Sequence, residues 1–453
     1  MNGSTGEPKV SDSIATLMAF VDHDDPYATP PDELAPLWID AINARFHECR
    51  ANVRILDQLA ERAGIDEVRR LDDVVPLLFA HTAYKSYPES FIDKNQWDRM
   101  TFWLSTLSKH TIPDPDLDGV GDADEWMARL HGTGNHVFAT SGTSGKNSFL
   151  NQSPADVEFS DRALLPKGVP QDNSMPVIVL APRKAPNRAS HAFENMVAKL
   201  GRPGAVHYLI DGEVRITDLS AMARLRRRIG DGTATPSEIA TFEQAASTRA
   251  QATSDLLDGL VDTILSYRHE PCVLVGLTPQ LFQIVEAARA RGLGPGSFHR
   301  ESFVISGGGA KGFDLPADHV EQTMEFLGLS LDRFAQGYGM QEASAGARMN
   351  EWGRYEFPAW MIPLLLDDTG ERLLTERSGR VTGRMALFDV SVDGRWGGII
   401  SGDRVTVDYE PGPLGRPAPA VVDIARYSEL EGGSDKLTCA GTIDSFVRGA
   451  VGE

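Results

Sequence analysis

The chain is poor in cysteine. Only three occur in 453 residues, Cys49, Cys272 and Cys439, and their sequence contexts are unrelated. This scarcity argues against a disulfide framework and against a zinc site. We therefore expect each cysteine to be a small buried side chain, and we expect the protein to work in a reducing cytoplasm.

Positive charge is scarce as well. The sequence has 44 Lys and Arg against 64 Asp and Glu, which gives a formal net charge of −20. A field of this sign repels polyanions, so nucleic acid is not expected as a partner. The one basic cluster, "RLRRR" at 224–228, lies in a polar helical stretch and predicts a solvated helix face.

Long apolar runs are missing too. The longest, such as "MPVIVLAP", "PCVLVGL" and "WMIPLLL", are far shorter than the roughly 20 residues that span a bilayer. The first residues, "MNGSTGEPKVSD", lack both a basic start and an apolar core. We therefore expect neither a membrane segment nor a signal peptide.

Hydrophobic periodicity predicts an α/β fold. Residues 32–109 carry helical spacing, with one long helical stretch that ends at Gly64 in a left-handed cap. Next, short apolar runs alternate with amphipathic helices, which predicts parallel strands with helices on their faces. After Gly353, short strands and turns predict a mainly β region. We predict four parts: a helical part at 1–130, an α/β nucleotide-binding core at 131–350, a smaller β subdomain at 351–440 and a hinge-like tail at 441–453.

The stretch "HVFATSGTSGKNSF" at 136–149 is rich in Gly, Ser and Thr and contains one Lys. The triphosphatase loop G-x-x-x-x-G-K-[ST] requires Gly at position 140 and Ser or Thr at position 147. This chain has Thr140 and Asn147 there, so the sequence does not match that loop. Two interpretations stay open. The stretch could be a flexible linker, or its hydroxyls and backbone amides could hold the phosphates of ATP, because glycine lets the backbone approach an anion closely.

The segment "TSGTSGK" at 140–146 resembles the phosphate loop of the adenylate-forming enzymes, a family of acyl- and aryl-CoA synthetases, peptide-synthetase adenylation domains and firefly luciferase. Three further stretches follow in that family's order: "SGGGAKG" at 306–312, "QGYGMQEAS" at 336–344 and "ISGDRV" at 400–405. The stretches "PLLFAHTAYKSYPES" and "GGGAKGF" are most similar to the acyl-protein synthetase branch. That branch includes adenylating proteins of phenazine pathways and borders the phenylacetate-CoA ligases.

The resemblance implies the large N-terminal domain of such an enzyme and an activity that depends on ATP and Mg²⁺. A fatty or aromatic carboxylic acid would become an acyl-adenylate, with release of pyrophosphate. The acyl group would then pass to a thiol, amine or hydroxyl. The implied partners are the small-molecule acid and, as acceptor, CoA, a carrier protein or an acyl-accepting partner enzyme. The chain could also pair as a homodimer.

The resemblance also assigns roles to residues. Glu342 would hold Mg²⁺ and would be catalytic together with Lys146 and Lys311. Asp403 would hold the ribose and Tyr338 would lie on the adenine ring. The implied ATP- and AMP-binding residues are Thr140, Ser141, Gly142, Thr143, Ser144, Gly145, Lys146, Gly308, Gly309, Ala310, Gln336, Tyr338, Gly339, Gln341 and Asp403.

Two residues, His191 and Gly307, are predicted to contact the acid. Cys439 is a candidate acyl acceptor, because enzymes of the bioluminescence branch carry the acyl group on a cysteine near their C-terminus. The alternative is an inward-facing thiol on a strand. The stretch "AGTIDSFVRG" at 440–449 is similar to the family's hinge and leaves Asp444 as the hinge residue.

The sequence departs from the family's pattern in several places. Asn147 and Ser148 stand where Pro and Lys are common, and Gln341 stands for the signature threonine. The family usually continues past the hinge into a mobile C-terminal domain with a catalytic lysine. We expect that domain to be absent here, so that Lys146 or Lys311 would have to supply its charge.

These departures keep two other functions open. One is a catalytically degenerate protein of the same fold that binds a nucleotide or an acyl-adenylate without turning it over. The altered hinge favours this alternative, whereas the retained Glu342 and Asp403 oppose it. The other is a ligase that adenylates a different oxyanion.

Overall fold

A computed structural model describes residues 11–140, 146–307, 315–417, 419–430 and 437. Within these ranges, helices and strands alternate along most of the chain. The helices are α1 (Asp12–Ala19), α2 (Pro31–Arg50), α3 (Arg54–Ala63), α4 (Leu71–Val74), α5 (Glu89–Asp93), α6 (Trp97–Ser105), α7 (Ala123–His131), α8 (Pro154–Leu164), α9 (Arg188–Leu200), α10 (Ile216–Gly230), α11 (Pro236–Ser266), α12 (Thr278–Ala290) and α13 (His319–Leu327).

The strands of the described residues form one large sheet and one hairpin. They are β1 (Phe79–Ala80), β2 (His136–Ala139), β3 (Phe149–Gln152), β4 (Met175–Lys184), β5 (Gly201–Glu213), β6 (Val273–Leu277), β7 (Phe303–Gly307), β8 (Phe334–Gly339), β9 (Gly346–Met349), β10 (Tyr355–Glu356), β11 (Met361–Leu366), β12 (Arg380–Asp389), β13 (Gly398–Asp408) and β14 (Ala420–Arg426).

The large sheet has a parallel part and an antiparallel part. Strands β5, β4, β6, β7 and β8 lie side by side in that order and are all parallel. The sheet continues through β9, β10, β14, β13, β12 and β11, whose pairings are antiparallel. The α/β prediction is confirmed, and the change to β structure near residue 350 falls at β9.

Helices cover both faces of the parallel strands. On one face, α11, α12 and α13 pack over buried side chains of alternate strand positions, such as Ile178, Leu274 and Val304. On the other face, α9 packs over the intervening positions, such as Val177 and Val275. A strand that is buried on both faces has a continuous run of apolar residues. The runs "MPVIVLAP" and "PCVLVGL" have this pattern, and they form β4 and β6 as predicted.

The helical stretch predicted to run unbroken to Gly64 is two helices. The chain turns at 51–53, where the carbonyl of Cys49 accepts hydrogen bonds from the N–H groups of both Asn52 and Val53. The second helix, α3, ends as predicted with Gly64 in the left-handed conformation at φ 67°.

Gly201 follows the last residue of α9, but it does not adopt the left-handed conformation. It is a position of close packing between helix and strand. Its backbone is extended, with φ −70° and ψ 120°, and it begins β5 directly after α9. A Cβ at this position would lie 2.7 Å from the carbonyl oxygen of Val197 and 2.7 Å from a methyl group of Val206. Glycine is therefore needed here for contact between helix and strand.

The order of the parallel strands creates a crevice. From β4 the chain passes to β5 on one side, and it later returns to β6 on the other side of β4. Ligands of open α/β sheets bind outside the carboxyl ends of the strands at such a switch point. Among the described residues, no helix combines the length and the apolar character that crossing a membrane would require.

Candidate functional site

A cavity of about 550 Å³ lies at the carboxyl ends of β4, β6, β7 and β8. This volume is within the range of pockets that hold small molecules. The cavity brings together predicted site residues from four separate segments of the chain. Those that line it are Thr140, Gly307, Tyr338, Gly339, Gln341, Glu342 and Asp403.

Several predicted site residues lie outside the described part of the chain. They are the proposed ATP-binding residues Ser141, Gly142, Thr143, Ser144, Gly145, Gly308, Gly309 and Ala310, the proposed catalytic Lys311, the candidate acceptor Cys439 and the hinge candidate Asp444. Their assignments stay predictions.

The two ends of the glycine-rich loop are held together by hydrogen bonds. The N–H of Thr140 donates to the carbonyl of Ser148 at 3.1 Å, and the N–H of Ser148 donates to the Thr140 hydroxyl at 3.2 Å.

Asn147 stabilises the two ends of the loop with three further hydrogen bonds. Its side-chain amide donates to the Thr140 carbonyl at 2.5 Å, and its side-chain oxygen accepts from the Ser220 hydroxyl at 2.6 Å. Its own carbonyl accepts from the Tyr87 hydroxyl at 3.0 Å. A residue that departs from the family's pattern is thus part of the loop's support.

Ser148 and Gln341 are among the residues of the cavity wall that carry buried polar atoms with unmet hydrogen-bonding capacity. The hydroxyl of Ser148 and the side-chain oxygen of Gln341 have no partner among the described residues. A buried polar atom without a partner costs about 1–3 kcal/mol, so a ligand or water that bonds to it is stabilising. Both are neutral groups of the kind that bind phosphate and ribose oxygens or the amino group of a base. The cavity wall therefore fits a polar ligand such as a nucleotide.

Tyr338 and Asp403 form a hydrogen-bonded pair across the cavity wall. The Tyr338 hydroxyl donates to Asp403 at 3.1 Å, and Arg426 on the neighbouring strand lies 3.7 Å from the other carboxylate oxygen. Burial, reinforced by the Asp403 charge, raises the pKa of Tyr338 well above its ordinary value, so the hydroxyl stays protonated. The Tyr338 ring packs edge-on against Tyr355 and Phe357. A carboxylate has about four acceptor sites, so Asp403 can still accept from a ligand.

Glu342 lies in the turn between β8 and β9, and buried side chains fix that turn. Its carbonyl accepts a hydrogen bond from Arg395 at 2.6 Å. Two residues further on, the N–H and the hydroxyl of Ser344 both donate to Asp389 at 2.7 Å. Asp389 also accepts from the N–H and the hydroxyl of Ser391, at 3.0 and 2.6 Å. The Glu342 carboxylate is therefore presented to the cavity from a rigid backbone.

The same turn requires a close approach of two backbones. A Cβ at Gly346 would lie 2.7 Å from the carbonyl oxygen of Tyr338. A larger residue at 346 would push β9 away from β8 and would move the turn that carries Glu342.

Lys146 and Gln336 were predicted to bind ATP, but neither lines this cavity. The Lys146 ammonium donates to the carbonyl of Tyr87 and lies 4.4 Å from the centre of that residue's ring. The Gln336 amide is buried and exchanges a 3.4 Å hydrogen bond with Thr278. Gln336 instead lines a neighbouring cavity.

His191, predicted to face the acid, lies in a separate depression of about 220 Å³. There it forms a cluster with His136 and His131, with ring centres 6.4 Å apart for His191 and His136 and 4.4 Å apart for His136 and His131. Burial, followed by the two neighbouring histidines, lowers the pKa of His136. Phe193, two residues after His191 on α9, lines the cavity in its place.

The cavity wall also contains three basic residues that sequence patterns did not single out. His81 and Lys85 follow the short strand β1, which pairs with β13 and so carries them to the site. The third is Arg188, the first residue of α9, which is buried. The available signal was the segment "PLLFAHTAYKSYPES", which contains the first two. An acidic protein thus keeps a group of basic side chains at this cavity.

One end of the cavity is apolar. Leu180 and Ala181 of β4, Ala189 and Phe193 of α9 and Leu277 of β6 line it. A second cavity of about 360 Å³ shares the small residues Gly337, Ala345 and Gly346 of the wall with the first. The site therefore offers room for an apolar group beside its polar end.

Among the residues described, no group of three or more His, Cys, Asp or Glu side chains has the geometry to hold a metal ion by itself. One of the cavity-lining carboxylates, that of Glu342, is nevertheless compatible with Mg²⁺. This ion keeps several waters and is usually bound by one or two carboxylates together with substrate phosphates.

No family model matches the sequence. No curated protein matches it either. Solved structures do resemble parts of this one. An o-succinylbenzoate CoA synthetase from Bacillus subtilis has 14% identity and a TM-score of 0.35, over 65% of this chain and 52% of that one. A long-chain-fatty-acid-CoA ligase from Archaeoglobus fulgidus has 12% identity and a TM-score of 0.38, over 65% and 52%.

The adenylation domain of a keto acid-selecting NRPS module has 12% identity and a TM-score of 0.38, over 66% of this chain and 52% of that one. The chain thus spans about half the length of the solved structures that it resembles. All three are enzymes of the adenylate-forming kind. We base no functional argument on a likeness of this extent, and the proposals below depend on the geometry of the site.

Proposed function

We propose that this protein binds ATP with Mg²⁺ and activates a carboxylic acid as its acyl-adenylate. A carboxylate oxygen of the acid would attack the α-phosphorus of ATP, and pyrophosphate would leave. A thiol, amine or hydroxyl, belonging to CoA, a carrier protein or a partner enzyme, would then attack the acyl carbon and take the acyl group, and AMP would leave. The observation that carries this proposal is the convergence of Thr140, Tyr338, Glu342 and Asp403 on one cavity with a polar end and an apolar end.

The polar end matches the parts of a nucleotide. The Asp403 carboxylate accepts hydrogen bonds from ribose hydroxyls, since it keeps acceptor capacity beyond its bond with Tyr338. The hydroxyls of Thr140 and Ser148 lie where the glycine-rich loop begins and ends, and they donate to phosphate oxygens. Lys85 supplies positive charge at the cavity wall, in place of the Lys146 charge. Most of the catalysis would be positioning of the reactants and stabilisation of phosphate charge.

Glu342 would hold Mg²⁺, which supplies positive charge to the oxygens of the triphosphate when it is bound. The buried contacts of Ser344 with Asp389 and of the Glu342 carbonyl with Arg395 hold the carboxylate in place before a ligand arrives. Such preorganisation avoids reorganisation at the moment of reaction.

Pyrophosphate exchange tests the proposal. Labelled pyrophosphate should enter ATP only when a suitable fatty or aromatic acid is present, because the exchange requires reversal of adenylate formation. A panel of such acids should contain at least one that raises exchange at least tenfold above the acid-free rate. Calorimetric binding of ATP without any acid-dependent exchange across the panel would instead support a protein that binds nucleotide without turnover.

Asp403→Asn should weaken ATP binding by about 10–100-fold, because hydrogen bonds to a charged acceptor contribute about 1.5–3 kcal/mol. Calorimetry with ATP and with its 2′-deoxy and 3′-deoxy analogues would measure this. In the parent protein, loss of a ribose hydroxyl that Asp403 binds should weaken affinity by a similar factor.

The affinity losses caused by Asp403→Asn and by removal of the ribose hydroxyl should not add, because both changes remove the same hydrogen bond. Tyr338→Phe is the matched control. It removes the Tyr338 hydroxyl, which donates to Asp403, and leaves the Asp403 carboxylate in place. If the deoxy analogues lose the same affinity in Asp403→Asn as in the parent protein, Asp403 does not hold the ribose.

A further inference from the structure

Arg188 is a buried cation in the wall of the proposed active site, and sequence patterns gave it no role. It is 6% exposed and begins α9 at the carboxyl end of the central strand β4. It donates to the carbonyl of Ser344 and, at 3.2 Å, to the Ser160 hydroxyl. Both acceptors are neutral groups.

The guanidinium of Arg188 forms no direct ion pair with a described residue, although the carboxylates of Asp389, Glu342 and Asp156 lie close enough to raise its pKa. No carboxylate of the described residues lies within ion-pair distance of its guanidinium, and its Nε has no hydrogen-bond partner among them. Burial lowers the pKa of Arg188 to about 10, so the side chain is still charged at neutral pH. Buried charges are normally paired, because an uncompensated one costs several kcal/mol.

The other buried arginines differ in their partners: Arg45 has carboxylate partners, whereas Arg354 and Arg395, like Arg188, donate to backbone carbonyls. Arg45 is 4% exposed and pairs with Glu48 at 2.9 Å and with Asp393 at 3.3 Å. Arg395, next to the site, uses two nitrogens on the carbonyls of Asn151 and Glu342. The Nε of Arg188 remains without such a bond in the described part of the protein, and Arg188 lines a ligand cavity.

The position of Arg188 indicates which anionic ligand could pair with its guanidinium. On α9 it is followed by Ala189 and Phe193, which line the apolar end of the cavity. On its other side, its hydrogen bond to Ser344 places it against the turn that carries Glu342. It therefore lies at the boundary between the apolar residues of α9 and the turn that carries Glu342. The carboxylate of an acid with an apolar tail would have to lie at this boundary in order to reach the α-phosphorus.

We propose that Arg188 binds the carboxylate of the acid substrate, and that the substrate is a monocarboxylic acid with an uncharged, apolar tail. This inference depends on the proposed adenylation. The planar guanidinium can offer parallel N–H donors to a carboxylate, which orients its oxygens as well as holding them. The apolar lining, Leu180, Ala181, Phe193 and Leu277, provides no partner for a second charge, so dicarboxylic and amino acids are disfavoured.

Binding of matched acids and amides tests the proposal without turnover. Octanoate, octanamide, benzoate and benzamide serve as probes in calorimetry with the full chain in the presence of Mg²⁺ and α,β-methylene-ATP, an analogue that cannot release pyrophosphate. The parent protein should bind at least one acid about 10–100-fold more tightly than its amide, as expected for charge-assisted hydrogen bonds. Arg188→Met should bring that ratio close to 1, and Arg188→Lys should give an intermediate ratio, because it keeps the charge and loses the planar fork.

Two further readouts separate binding from a structural role. Removal of an unpaired buried charge should leave the Tm of Arg188→Met within a few degrees of the parent value or raise it. In the exchange assay, KM for the acid should rise about 10–100-fold, while KM for ATP should change less than about threefold. Arg183→Met is the matched control, because Arg183 is exposed and pairs with Asp211 at 2.6 Å away from the cavity. It should behave like the parent protein.

Three results would overturn the proposal: a parent protein that binds neither acid more tightly than its amide, an acid-to-amide ratio that persists in Arg188→Met, or an equal loss for acid and amide together with a large fall in Tm. Failure of adenylation is recognisable separately. Acid binding that depends on Arg188 without pyrophosphate exchange would contradict the proposed reaction and leave the carboxylate site in place.

Discussion

Replacement of Glu342 by alanine should lower acid-dependent pyrophosphate exchange by about 10²–10³-fold, the loss that follows removal of one preorganised electrostatic group from an active site. The side chain lines the cavity, and its backbone is fixed by Arg395 and, through Ser344, by Asp389. The variant should fold normally, because these anchoring bonds use backbone atoms of Glu342 and side chains of other residues. The measurement is the exchange rate at saturating acid, over a range of Mg²⁺ concentrations.

Glu342→Gln refines this test. It keeps the shape of the side chain and removes the charge, so exchange should be nearly as low as in Glu342→Ala and should need more Mg²⁺ for half-maximal rate. Glu325→Ala, a change on the exposed surface of α13, is the matched control and should leave exchange as it is. Full exchange in both Glu342 variants would remove Glu342 from the mechanism.

Asp389→Ala should lower the free energy of unfolding by about 3–5 kcal/mol. Asp389 is 1% exposed and accepts hydrogen bonds from the N–H and hydroxyl groups of Ser344 and Ser391. Alanine would leave the two buried N–H groups without acceptors, and each unsatisfied group costs about 1–3 kcal/mol. The turn that presents Glu342 should loosen in addition, so activity should fall by more than the unfolded fraction explains.

Urea unfolding followed by circular dichroism measures the stability change. Asp389→Asn should be intermediate, because the amide keeps one acceptor oxygen. Asp423→Ala on β14, where the side chain is exposed, is the matched control and should change stability by less than about 0.5 kcal/mol. If the urea midpoint of Asp389→Ala equals that of Asp423→Ala within error, Asp389 does not anchor the turn.

The parallel strands could be predicted because strands buried on both faces leave continuous apolar runs between amphipathic helices. The approximate place of the site followed from the same pattern, since β7 ends at Gly307, which pairs with Gly337 near the end of β8. Tyr338, Glu342 and Asp403 were named from short motifs, and the structure brings them to one cavity.

Other features depend on contacts between distant segments and leave no local pattern. The Lys146 side chain follows a loop rich in glycine, but its position is decided by Tyr87, 59 residues earlier in the chain. Arg188 has an ordinary helical sequence around it. Its burial against Ser344, 156 residues later, and its place in the cavity wall distinguish it from a surface arginine.

The fate of the acid's oxygen tests the central claim most directly. An acid that supports exchange is labelled with ¹⁸O in its carboxylate and incubated with ATP, Mg²⁺ and the protein until the acyl group is transferred or hydrolysed. Because a carboxylate oxygen attacks the α-phosphorus and stays with it when the acyl group leaves, one ¹⁸O should appear in AMP and none in pyrophosphate. Label in inorganic phosphate together with formation of ADP, or AMP without label, would contradict adenylation of the acid.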